Sequence, residues 1–245
     1  MTMNITARAS ALPFIASQPA DVILVQEHHL RGDKIDAASK WCLDHGFKSF
    51  WSEAVDTEAG GTSGGTAILV RKEFGLSDKR SLDKCGHRGI IGSVDIPGLN
   101  SFRVASAYLE TGKPLVGESA ATLAAICQGL QRDGGEFVLG ADFNCTPKML
   151  LNSRAAKLAN ATVVSTDDPR GTCKGKKGKS QTLDYFMVSH GLKAMVEDIS
   201  IVWGSGITPH RPVKMTFVPR ISSVRVEKMD LPPRIGTDRV FGPLE

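Results

Sequence analysis

The stretch Phe137-Val-Leu-Gly-Ala-Asp-Phe-Asn144 runs from an apolar segment of strand length into a carboxylate and an amide. Apolar runs of this kind read as strands inside a sheet. A polar side chain at the end of such a strand sits at a sheet edge, where ligand sites concentrate. Val22-Ile-Leu-Val-Gln-Glu27 and Thr182-Leu-Asp-Tyr-Phe-Met-Val188 repeat the pattern. Core packing accounts for any one of these polar residues. It does not account for Asn4, Glu27, Asp142, Asn144, Asp184 and His210 together, drawn from segments spread over the whole chain, and their chemistry points to hydrolysis of phosphate esters.

Outward from these runs the chain mixes strand pairs with helices. Strands are expected near the N-terminus up to about residue 10 and over 21–26, 47–54, 66–71, 90–96, 102–109, 137–139, 163–164, 183–188, 199–202 and 213–217. Helices are expected over 11–17, 35–45, 118–131 and 147–159. Leu123, Ile126, Cys127 and Leu130 fall on one face of the third, and Thr146-Pro147 opens the fourth with a cap and a proline at the first helical position. This order is neither strict βαβ alternation nor all-β. It fits a layered α/β sandwich of two facing sheets with helices outside. Gly60-Gly-Thr-Ser-Gly-Gly65 reads as a tight loop feeding the 66–71 strand. The domain is expected over 1–219. Residues 220–245, with Pro232-Pro233 and alternating charge, read as a tail or linker toward a longer polypeptide.

At 245 residues the chain is long enough for one large domain with a full core. Its 41% hydrophobic and 23% charged residues are ordinary for a globular protein. No apolar run approaches the roughly 20 residues of a membrane span, and no secretion signal opens the chain, so an intracellular, non-secreted protein without a membrane partner is expected. Five cysteines at unpaired spacing fit reduced thiols better than disulfides or a zinc motif. The net charge of +4 only weakly favours a polyanionic partner. Locally, Lys174-Gly-Lys-Lys-Gly-Lys179 is a basic, glycine-rich loop just ahead of the Asp184 strand. Lys174, Lys176, Lys177 and Lys179 are therefore candidate phosphate contacts, against the plainer reading of a solvated surface.

Phosphodiester hydrolysis needs a cation to offset phosphoryl charge, a base to activate water, donors to hold the phosphate and stabilisation of the leaving oxygen. Magnesium takes oxygen ligands and needs only one or two protein carboxylates, and Glu27 at a strand end is a natural one. Asn4 and Asn144 can each donate and accept from one amide. Asp184 and His210 are candidates for a carboxylate–imidazole pair. His28 and His29 follow Glu27, but neighbouring strand residues point to opposite faces, so they are not expected to share its ligand.

Val25-Gln-Glu27, Gly140-Ala-Asp-Phe-Asn144, Thr182-Leu-Asp-Tyr-Phe186 and Pro209-His-Arg-Pro-Val213 also resemble, in order and spacing, the signature motifs of the endonuclease/exonuclease/phosphatase superfamily. The likeness is nearest to the abasic-endonuclease-like domains of non-LTR retrotransposons. It implies a four-layered, DNase I-like α/β sandwich. It also implies a phosphoesterase dependent on Mg2+, or Mn2+ in its place, most simply a DNA endonuclease, nuclear if it serves a retroelement. Implied roles are Glu27 as chief metal ligand with Asn4 beside it, and Asp142 as water activator or leaving-group acid. Asn144 and Tyr108 would hold the phosphate, and Asp184 would orient His210 toward the phosphoryl oxygen. Two departures stand out. Thr208-Pro209-His210 replaces Ser-Asp-His, and Leu109-Glu110-Thr111 follows Tyr108 where the family usually has Pro-Asn. A phosphatase or phosphodiesterase acting on small or lipid phosphates, and a catalytically silent nucleic-acid-binding module, therefore stay open.

Overall fold

Alternation within the apolar runs builds two six-stranded sheets that face each other. The computed structural model describes residues 1–6, 11–82, 86–97, 101–113, 115–132, 135–175 and 178–218. The expected tail over 220–245 lies outside them, as do Lys176 and Lys177. The sheet strands are β1 Thr2–Asn4, β2 Val22–Gln26, β3 Phe47–Trp51, β4 Thr66–Arg71, β5 Gly75–Ser81, β6 Gly89–Asp95, β7 Phe102–Tyr108, β8 Phe137–Asp142, β9 Ala161–Val164, β10 Asp184–Ser189, β11 Val196–Ile201 and β12 Val213–Phe217. The first sheet has the order β11-β12-β1-β2-β4-β3 and the second β9-β10-β8-β7-β6-β5. In each sheet one central pair is parallel, β1 with β2 and β7 with β8, and the other pairs are antiparallel.

The period-two pattern explains three apolar layers. Leu24, Val104, Val138, Phe186 and Val213 fill the space between the sheets. Their strand neighbours Ile23 and Val25 instead pack under the helices α1 Ala11–Ser17 and α2 Asp33–Asp44. Leu139, Ala141, Tyr185 and Met187 pack under α3 Gly117–Gln131, α4 Pro147–Asn152 and α5 Ala155–Leu158. The result is helix, sheet, sheet, helix, the layered sandwich expected from the sequence. At Gly140 the sheets approach so closely that a Cβ would lie 2.6 Å from Leu24 Cδ1. No helix among the described residues is long and apolar enough to cross a membrane.

Some elements differ from the expectations. The helix expected over 147–159 is two pieces, because Arg154 takes a left-handed conformation (φ 65°) between α4 and α5. The strand expected to stop at 139 continues to Asp142, held by β7 on one side and β10 on the other. The first strand ends at Asn4 rather than near residue 10. Strand β5, Gly-Leu-Ser-Asp-Lys-Arg-Ser, was hidden by its polarity; it is an edge strand, where charge guards against further pairing.

Candidate active site

Parity along the strands delivers the polar side chains to one end of the space between the sheets. Asp142 is in register with Asp184 on β10 and with Tyr108 on β7. On the facing sheet Asn4 pairs with Gln26. Asn4 Nδ2 donates to Asp142 Oδ2 at 2.9 Å, which joins the two sheets directly. Just below, Gln26 Nε2 lies 3.0 Å from Ser106 Oγ and 3.3 Å from the Gly140 carbonyl, and Ser106 Oγ donates to the Val25 carbonyl. This buried polar layer is fully bonded, so it sets the spacing of the sheets under the site.

His210 sits on the loop between β11 and β12. Segment 172–174 holds that loop: Arg211 N donates to the Thr172 carbonyl and Lys174 N to the Pro209 carbonyl. His210 Nδ1 lies 2.9 and 3.1 Å from the two Asp184 oxygens, and Thr172 Oγ1 donates to Asp184 Oδ2 at 2.9 Å. Asp184 is fully buried. Burial alone would pull the imidazole down, but the Asp184 carboxylate and its hydrogen bond outweigh it, and His210 is pushed up to about 12. His210 is therefore an imidazolium at neutral pH, with Nδ1 committed to Asp184 and Nε2 at 3.7 Å from both Asp142 Oδ2 and Cys173 Sγ.

Asp142 is held from both sides, by Asn4 at Oδ2 and by the Asn144 backbone N–H at Oδ1, 3.0 Å away. Burial first, then the Asp184 charge, raises it to about 7 against the opposing pull of His210, Asn4 and Asn144. A carboxylate poised near neutrality is suited to take a proton. The 3.7 Å gap between Asp142 Oδ2 and His210 Nε2 is too long for a hydrogen bond, so each group keeps capacity for a partner of its own.

Asn144 and Asn4 take places that the sequence did not foretell. Asn144 Nδ2 donates to the Leu109 carbonyl and its Oδ1 accepts from Thr111 Oγ1, so its side chain ties the turn after Tyr108 to the Asp142 strand rather than facing open space. Asn4 Oδ1 accepts from both the N–H and the hydroxyl of Thr6, which occupies the oxygen expected at a cation. Asn4 Nδ2 thus orients Asp142, while its Oδ1 is bonded to Thr6. Tyr108 lies at the margin: burial, then the Glu27 charge and that of Asp142, raise its hydroxyl to about 12, so it stays a donor.

Glu27 follows the last residue of β2 with φ 56°, and His29 has φ 59°. Each non-glycine residue in this left-handed region costs on the order of 1–3 kcal/mol and needs outside support. The glycine-rich loop supplies it, as the Gly65 and Gly64 carbonyls accept from His28 N and His29 N. Gly65 itself (φ 83°) tolerates no side chain, since a Cβ would lie 2.5 Å from the His28 ring. His28 turns into the core and its burial lowers it to about 4. The alternation of a strand ends at Gln26, and His29 comes back to within 3.6 Å of Glu27 Oε1.

These residues fit a divalent cation at Glu27 better than at the buried acids. The ligand atoms of Asp142, Asp184 and His210 do lie within 4.8 Å of one another. However, Asp184 is consumed by His210 Nδ1 and Thr172. Glu27 and His29 are only partly buried, 14% and 23% exposed at the side chain, and His29 Nε2 is shielded from solvent with no hydrogen-bond partner among the described residues. Arg88 was also missed by the sequence reading. Its guanidinium lies 5.6 Å from the Tyr108 ring centre, and its Nη1 is buried with no partner among the described residues. Nothing in the local sequence marks it, since only the pairing of β6 with β7 brings it there.

Of the lysine run, Lys174 lines a cleft of about 460 Å3 beside His210, together with Thr6, Ile207, Thr208, Pro209 and Arg211. Lys179 is exposed just ahead of Ser180–Gln181, which pairs with Cys173–Lys174. Trp203 is engaged by the guanidiniums of Arg170 and Arg211, 3.8 and 4.7 Å from its ring centre.

The sequence profile described as Endonuclease/Exonuclease/phosphatase family matches residues 6–205, so Asn4 and His210 fall outside the matched span. No curated protein matches by sequence. Among solved structures, the chain is similar to a 3′ phosphatase, NExo, from Neisseria bound to a product DNA hairpin, with a TM-score of 0.67 and 19% identity over 89% of this chain and 98% of that one. It is similar to an AP endonuclease from Archaeoglobus fulgidus, with a TM-score of 0.65 and 17% identity over 88% and 97% of the two chains. It is also similar to the endonuclease domain of TRAS1, a telomere-specific non-LTR retrotransposon, with a TM-score of 0.62 and 12% identity over 88% and 95%.

Proposed function

We propose that this chain, which belongs to the Endonuclease/Exonuclease/phosphatase family, hydrolyses phosphodiester bonds in DNA as a divalent-cation-dependent endonuclease of the retroelement type. The observation that carries the reading is the opposition of Asp142 Oδ2 and His210 Nε2 across 3.7 Å, one group set to accept a proton and the other to donate a hydrogen bond. Asp142 takes the proton of the water that attacks phosphorus. Asn4 and the Asn144 N–H fix the carboxylate for that transfer. His210, kept charged by Asp184, donates from Nε2 to a phosphoryl oxygen as negative charge builds there. Tyr108 donates from the same side, and the partnerless Nη1 of Arg88 meets a second phosphoryl oxygen. A Mg2+ or Mn2+ ion held at Glu27 supplies, when bound, positive charge to offset the phosphoryl oxygens and the leaving oxygen.

DNA is favoured over a small phosphate by the cleft beside His210, whose Lys174 and Arg211 extend positive charge away from the reacting centre. Pro209, standing where the family usually has an aspartate, favours a second reading, a nucleic-acid-binding module without hydrolysis. Nicking of supercoiled plasmid separates them. Cleavage in Mg2+ or Mn2+ that EDTA abolishes and Asp142→Ala lowers at least a hundredfold is expected. DNA binding with no cleavage in either ion would establish the silent module, and turnover of inositol phosphates without nicking would move the substrate to small phosphates.

A further inference from the structure

We propose that His29 is a cation ligand, and that with Glu27 it forms a mixed nitrogen–oxygen site that selects a transition-metal ion such as Mn2+ over Mg2+. The inference rests on the cation-dependent reading above and deepens it. Three observations carry it. His29 Nε2 is shielded from solvent and has no hydrogen-bond partner among the described residues, an expensive state for an imidazole nitrogen. It faces Glu27 Oε1 at 3.6 Å, too far for a hydrogen bond. Two ligand atoms held about 2.1–2.2 Å from one ion, at 90–110° to each other, stand about 3.0–3.6 Å apart, so the observed gap matches that of two neighbours of one ion.

The third observation is how the backbone produces this gap. Glu27 and His29 both hold left-handed φ values (56° and 59°), and residues between strands rarely do so twice within three positions. The conformation is over-determined. His28 N and His29 N donate to the Gly65 and Gly64 carbonyls, Thr62 Oγ1 donates to the His29 carbonyl, and Gly65 N donates to the His87 carbonyl. The glycine-rich loop thus fixes the backbone that carries both ligands before any ion arrives. Carboxylate and water suit magnesium, whereas an imidazole adds affinity for transition ions and little for magnesium.

Manganese alone, without DNA, tests this. Pulsed electron paramagnetic resonance of Mn2+ bound to the wild-type chain is expected to show nitrogen coupling from a ligated imidazole. His29→Gln is expected to lose that coupling, to weaken Mn2+ binding about tenfold in calorimetry, and to leave Mg2+ binding within about twofold. Absence of imidazole coupling in the wild type, or coupling unchanged in His29→Gln, overturns the proposal. If the variant does not fold, absence of the coupling in the wild type still overturns the proposal. The two readings fail separately: nicking with no imidazole coupling overturns this inference alone, and imidazole-ligated Mn2+ without nicking supports it while counting against the nuclease.

Discussion

Replacing Asp184 by Asn keeps the shape of a fully buried side chain while removing its charge. His210 then loses its counter-ion. At the observed 2.9 Å, and an effective dielectric constant of about 20, the lost attraction is about 6 kcal/mol. Downgrading the charge-assisted hydrogen bond to a neutral one costs about 2 kcal/mol more. Together these equal about six pH units at about 1.4 kcal/mol each, which moves the imidazole from about 12 to about 6. At pH 8 the wild-type ring is a cation and the variant ring is neutral. If His210 stabilises the phosphoryl oxygen as a charged donor, single-turnover nicking at pH 8 should fall about 10²–10³-fold, the usual cost of losing one preorganised donor. At the neighbouring Asp142 the variant loses both the Asp184 charge that raises it and the His210 charge that lowers it, so the two changes oppose each other there. Histidine ring NMR reports the titration directly. Nicking within threefold of wild type, or a His210 ring that titrates alike in both proteins, would refute the reasoning.

Other perturbations follow from the same geometry. Gly140→Ala places a methyl group 2.6 Å from Leu24 Cδ1 and 3.0 Å from Thr2 Cβ, so thermal unfolding should shift down by several degrees, the effect of about 1–3 kcal/mol of overpacking. His28 is lowered to about 4 by burial, while in the unfolded chain it titrates near 6.5. As pH falls through 6.5 the unfolded chain therefore binds a proton that the folded one refuses until about 4, and stability is lost over that window. The stability difference between wild type and His28→Gln in urea should accordingly shrink by about 3 kcal/mol from pH 7 to pH 4, and a pH-independent difference would count against a neutral buried ring. Lys174→Ala with Lys179→Ala should weaken DNA binding in fluorescence anisotropy and flatten its dependence on log salt by about 0.9 for each phosphate no longer neutralised; an unchanged slope would return the run to ordinary solvated surface.

Much was legible in the sequence because the physics is local. Period-two apolar runs require strands, and strands buried on both faces require facing sheets with helices outside, so the layers followed from residues such as Val22 to Val25 and Phe137 to Leu139. Asp184 amid Leu183, Tyr185 and Phe186 announced a buried carboxylate in need of a partner. What could not be read locally was placed by pairing and by loops. Register alone sets Asp142 opposite Asp184 and Tyr108, and the meeting of the two sheets makes Asn4 a support of Asp142. Arg88 reaches Tyr108 only through the strand pairing of β6 and β7, and His29 returns to Glu27 only because two left-handed residues, braced by Gly64 and Gly65, end the alternation that the sequence suggested would continue. The sequence by itself determined which side chains are buried and which elements carry them, since burial follows from periodicity. The tertiary structure decided which atoms face which, since that depends on register, on sheet spacing and on backbone conformations that no residue dictates alone.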